Sequence, residues 1–202
     1  ALVVGLLMWP RGAIGALNEE IAHGLRACSA YLSSVIDALV DVVPPSVLSR
    51  DRLDARTAAE RASETYDMAI MQRGSTVREG TTWAELANAS HLLLAVGRIL
   101  GVFATDPPIL AGSASNVSAV TAAREASDRR WAAIAEHVES SRTVPDAPRI
   151  HDHRDMPLPI GVDDPASAHA YVVCVWTVNW VDHLNRLSPR TADPVTAGSH
   201  AG

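Results

Sequence analysis

The densest set of potential metal ligands in this 202-residue chain is His151-Asp-His-Arg-Asp155. Alternate imidazoles beside carboxylates are donor types that zinc and other first-row metals accept. No third ligand is marked elsewhere: there is no His-Glu-x-x-His, and Cys28 and Cys174 belong to no Cys-x-x-Cys unit. Ligands on a Pro-rich loop would also be poorly preorganised. A solvated polar segment is therefore expected, with no metal and no other cofactor. A second set is His91, His169 and His183 with Trp83, Trp176 and Trp180. From helices these six could converge on a small-molecule cavity, the rings giving contact area and a histidine binding an anion. Core packing is the competing expectation for tryptophans at this spacing.

No nucleophile can be picked out, and no enzymatic activity is expected. Gly112-Ser-Ala-Ser115 is not a Gly-x-Ser-x-Gly elbow, and no strand is available to mount one. All 17 basic residues are arginines. The absence of lysine excludes the Lys-bearing phosphate loop, pyridoxal Schiff bases and lysine acid/base chemistry. A formal net charge of −6 argues against a duplex nucleic-acid partner, which requires a basic footprint. Both cysteines sit in apolar helical context, where reduced, buried thiols are expected.

The elements that must position these residues are helices. From 11 to 43, Ile14, Leu17, Ile21, Leu25, Cys28, Leu32, Val35, Leu39 and Val42 recur in steps of three and four, as one buried helical stripe requires. Pro44 and Pro45 end it. A second segment, 46–73, has a weak stripe (Leu48, Leu53, Ala58, Ala62, Tyr66, Ile70), which places it on the outside of a bundle. Thr82-Trp-Ala-Glu85 reads as a capping box opening a third helix through Leu86, Leu93, Leu100 and Phe103. A fourth covers 115–140. A long Pro-rich loop, 141–164, leads to Asp164-Pro165, an N-cap with Pro at the first helical position. The fifth helix is apolar nearly all round from Tyr171 to Val181, which predicts the central, most buried helix. The fold expected is an all-α antiparallel bundle of about five helices.

The N-terminus adds a different signal. The apolar run Ala1-Leu-Val-Val-Gly-Leu-Leu-Met8 ends in Trp9, Pro10 and Arg11. An interfacial Trp and a cationic residue at its end are what a membrane exit favours. Such a run rises only about 13 Å, against roughly 30 Å of hydrocarbon. Residues 1–10 are therefore expected to be the end of a transmembrane helix, 11–188 a cytoplasmic helical bundle and 189–202 a disordered tail.

The segment Gly5-Leu-Leu-Met-Trp-Pro-Arg-Gly-Ala13, followed by a long helix with Ala30-Tyr-Leu32, resembles the FUSC family of fusaric-acid-resistance and aromatic-acid-exporter-like membrane proteins. Trp83-Ala-Glu-Leu86 and Trp180-Val-Asp-His-Leu184 are similar in style. The specific likeness covers about the first fifth of the chain. It implies a domain on the cytoplasmic face of the plasma membrane, part of an exporter of small, aromatic-acid-like compounds. The domain's role would be structural, assembling or regulatory. The implied partners are the membrane bundle of the same polypeptide and further copies of the chain, with a small-molecule ligand as an additional option. The alternative is a free-standing small-molecule-binding helical bundle.

Overall fold

A computed structural model describes residues 2–73, 77–104, 106–140 and 165–186, with side chains over 15–71, 83–104, 106–140 and 166–186. They form five helices: α1 (Leu2–Val40), α2 (Pro45–Arg73), α3 (Val77–Leu100), α4 (Ala114–Ser140) and α5 (Pro165–Arg186). A 3-10 turn at Gly101–Phe103 extends α3. No strand occurs among the described residues, and the fold is all-α as the periodicity predicts.

The stripe along α1 is the start of the core. Leu17, Ile21, Leu25, Cys28, Leu32, Val35 and Leu39 are all buried. So are Ala22, Ser29, Tyr31 and Ile36, which lie off that line. A helix buried on more than one side must have several neighbours, and α1 packs against α2, α3 and α4. Each fully buried Leu or Ile contributes roughly 1.5–3 kcal/mol relative to exposure, so α1 is the element on which most burial depends.

Cross-helix contacts set the directions. Cys28 lies against the Ala55 carbonyl and Ser34 against Asp51, so α2 runs opposite to α1. Asn18 meets Trp83 and Tyr31 meets Gly97, so α3 runs with α1. Arg26 pairs with Glu139 at 2.5 Å, Ser33 bonds Asp128, and Arg124 pairs with Asp37 at 3.3 Å, a polar ladder that makes α4 antiparallel to α1. Ser113 caps α4, its hydroxyl accepting from the Asn116 amide.

Closeness between α1, α2 and α3 comes from small residues. The α2 face toward α1 is Ala55, Ala58, Ala59 and Ala62. A Cβ at Gly24 would stand 3.1 Å from Ser90 Oγ, 3.3 Å from Ala62 Cβ and 3.4 Å from the Ala58 carbonyl. Three helices therefore meet where one position carries no side chain.

Several expectations are corrected. The central helix is α1, not α5. The neighbours of α5 are α4 and the end of α3, so Val173, Cys174, Val178 and Val181 are buried while Val172 and Trp176 stay exposed. An all-round apolar surface permits a central position, but only a helix with small residues facing its neighbours can admit three of them. α1 ends at Val40, leaving Val42 66% exposed, because Pro45 already opens α2. α2 does lie outside, but through its alanines, with Leu53 turned to solvent. α3 begins at Val77, so Thr82 lies inside it and the capping box is not a helix start. Gly80, worth roughly 1 kcal/mol against a helix, does not stop it. The helix passes through positions 9–11 without a break. The side chains of Trp9, Pro10 and Arg11, the loop 141–164 with His151 and His153, Asp164 and the tail lie outside the described residues.

Gly24→Val should overpack the three-helix contact and lower stability by about 1–3 kcal/mol. At Gly15 a Cβ meets nothing within 4 Å, so Gly15→Ala should leave stability unchanged or raise it by up to about 1 kcal/mol. Urea denaturation of the two variants reads both.

Candidate functional site

The six residues expected to line a cavity fall in separate places. Trp83, at the first described side chain of α3, is half-buried and donates its indole N–H to Asn18 Oδ1 at 3.3 Å. His91 is exposed and its Nε2 lies 2.8 Å from Ser63 Oγ on α2. His169 and Trp176 both meet Phe103 edge-on, at ring-centroid distances of 6.2 Å. Trp180 and His183 form their own edge-to-face pair on α5, also at 6.2 Å. Seventeen residues of α3 separate Trp83 from Leu100, a rise of about 25 Å, so Trp83 cannot share a small cavity with the rings on Phe103. The histidines and tryptophans at the expected positions are thus held by local pairings. Among the described residues, the fully buried tryptophan is Trp131 on α4, a core residue.

Nucleophilic chemistry finds no footing in the cysteines. Burial pushes the Cys28 thiol up to about 12 and the Cys174 thiol up to about 11. Each donates weakly to a backbone carbonyl, of Ala55 and Asn116 respectively. No group of three or more His, Cys, Asp or Glu suited to a metal occurs among the described residues.

A site that motif reading passed over lies between α1, α2 and the end of α3. It is a cleft of about 320 Å³. Tyr31 and Val35 of α1 form one wall, Leu48, Ser49 and Arg52 of α2 another, and Arg98, Gly101 and Val102 the third. Tyr31 enters it because α3 has glycines where the ring passes. A Cβ at Gly97 would stand 2.7 Å from Tyr31 Cε1, and one at Gly101 3.8 Å from its hydroxyl. Gly97 is therefore required by the ring, while Gly101 only leaves room beside it. Burial pushes the Tyr31 phenol up, and the positive charges of Arg52 and Arg98 oppose that shift. Both guanidinium groups thus act on the same hydroxyl.

The charge of this cleft is unusual within the chain. Arg56, Arg124, Arg129 and Arg186 each pair with a carboxylate four residues away on their own helix. Positions three and four residues from Arg52 hold Leu48, Ser49, Ala55 and Arg56; those around Arg98 hold Leu94, Ala95, Gly101 and Val102. Neither helix supplies a counter-ion, and among the described residues no ion pair or hydrogen bond forms at Arg52 or Arg98. Neighbouring Asp51 is engaged by Ser34 at 2.7 Å and by Arg50 at 3.0 Å. The sequence signal was this lack of acids at helical spacing, together with the Gly97/Gly101 pair. No local motif contains it, because Tyr31, Arg52 and Arg98 come from three helices.

No family model, curated protein or solved structure matches this chain.

Two outcomes follow. Gly97→Ala should displace the Tyr31 ring and destabilise the fold by about 1–3 kcal/mol, whereas Gly101→Ala should be milder, read by thermal unfolding. Cys28 and Cys174 should resist a thiol-titrating disulfide reagent at pH 8 in the native protein and react together on denaturation, since the neutral buried thiol is not the reactive form.

Proposed function

We propose that this chain is the helical domain of a FUSC-like exporter of small, aromatic-acid-like compounds, placed on the cytoplasmic face of the membrane as a packing and assembly element. The observation that carries this reading is the continuity of α1. The apolar N-terminal run, the Trp9-Pro10-Arg11 junction and the central helix of the bundle lie on one helix, Leu2–Val40. A span joined in this way to the axis around which α2, α3 and α4 pack would transmit its tilt or displacement to the whole bundle without a hinge. The outer face of α2 is consistent with an assembly role: Met68 and Met71, three residues apart, are exposed, Met71 to 84%, and flexible methionines suit adaptable contacts.

Trp83–Phe103 is long and apolar enough to cross a membrane by length and composition, with 21 residues and a mean hydropathy of 1.5. It is 44% buried, and Leu86, Leu93, Val96 and Leu100 lie in the core. Its buried face makes it a core helix in this reading, with the membrane left to the N-terminal run. A free-standing small-molecule-binding bundle is the second reading, favoured by the cleft around Tyr31.

The test is the coding sequence and fate of the natural protein. The frame upstream of the Ala1 codon should encode several apolar stretches of about 20 residues, and the full protein should stay with membranes after an alkaline carbonate wash. A start codon directly before Ala1, or full release by the wash, would overturn the exporter reading.

A further inference from the structure

The cleft between α1, α2 and α3 combines three features that structural packing does not require together. It has volume, about 320 Å³, at the lower end of the range of small-molecule sites. It has two guanidinium groups and no carboxylate among its lining residues, in a chain of net charge −6. It also has an apolar lip: Val102 is 74% exposed although it borders the cleft, and Val35 and Leu48 continue that surface inward.

The simpler account of Arg98 is a cation in the last turn of α3, where it complements the helix dipole. That account does not extend to Arg52, which lies two turns into α2 and lacks any such partner. Nor do the helix ends decide the sign of the site. The start of α2 and the end of α3 border the cleft with partial charges of opposite sign, each about half an elementary charge. Their effects oppose one another, and the two full guanidinium charges dominate.

From this geometry we infer that the cleft binds a small amphiphilic organic carboxylate, its head group held by Arg52 and Arg98 and its apolar part lying over Val35, Leu48 and Val102. Arginine presents paired N–H donors that match a carboxylate. The Tyr31 and Ser49 hydroxyls supply further donors at the same head group. Val102 passes out of water when the apolar part is seated, which a bare inorganic anion cannot achieve. The inference deepens the second reading, whose cleft it fills with a ligand class, and is independent of the exporter reading, since the cleft lies wholly within the bundle.

The test is a titration of the whole 202-residue chain, followed by backbone amide shifts. Benzoate and hexanoate should move the amides of Ser49, Gly101 and Val102 with a roughly millimolar Kd or tighter. Benzamide, the neutral counterpart, and inorganic phosphate should each bind at least about tenfold more weakly. The R52Q/R98Q double variant should keep its melting temperature, having no ion pair to lose, and lose at least about tenfold in affinity. Failure of both carboxylates to shift these amides at about 20 mM would overturn the inference. So would equal binding of benzamide, equal binding of phosphate, or undiminished binding by the double variant.

Discussion

Close approach at Gly24 is the constraint on which the bundle depends. α1 is buried against three neighbours, and a helix with large side chains all round would hold them at the far end of the usual 8–10 Å spacing. Gly24, the alanine face of α2 and Ser90 of α3 remove that bulk at one level. The larger side chains can then interlock elsewhere: Leu17, Ile21 and Leu39 along α1, Leu93 and Leu100 on α3, Trp131 and Ile134 on α4. Without the small-residue contact, α2 would move outward and uncover the apolar face it now closes.

Opposite this contact, the α1–α4 interface is fixed by polar groups. Ser33–Asp128, Asp37–Arg124 and Arg26–Glu139 are spaced along both helices. The two ion pairs among them are partly exposed and contribute only about 0–1 kcal/mol each, so the chief effect of the ladder is to set register rather than to hold the helices together. Burial raises the Asp37 carboxyl, with Arg124 opposing the shift, which fits a pair at the margin of the core. Most arginines in the described helices are compensated in this way by a nearby acid. Arg52, Arg98 and the exposed Arg61 are not, and what marks the site around Tyr31 is that the first two of these border one cleft.

Some of this was legible from residues alone. The period of α1 identified Leu17 through Leu39 as one buried stripe, because a 3.6-residue repeat leaves a direct trace in the order of apolar residues. Pro44 and Pro45 located the first turn, and the observed start of α4, Ala114, lies within one residue of the expected 115, since the apolar pattern acts locally. The third helix was misjudged at its beginning: a capping box is a local option, and α3 continues through it from Val77. The histidine and tryptophan set is divided along the bundle for a related reason. Residues on one apolar helix face share a direction, but their height along the bundle decides what they can touch, and Trp83 lies far from Phe103.

By itself, then, the order of residues determined that the fold is all-α, where the fourth helix lies, which side of α1 is apolar, and that lysine chemistry is excluded. These properties depend on spacing within one segment. Only the tertiary structure decided that α1 rather than α5 is central, that alanines rather than Leu53 form the inner face of α2, and that Tyr31, Arg52 and Arg98 share a cleft. Those outcomes depend on how closely two helices can approach and at what register, which is a property of pairs of surfaces. No single segment carries that information, so the strongest candidate site is assembled from residues that no motif connects.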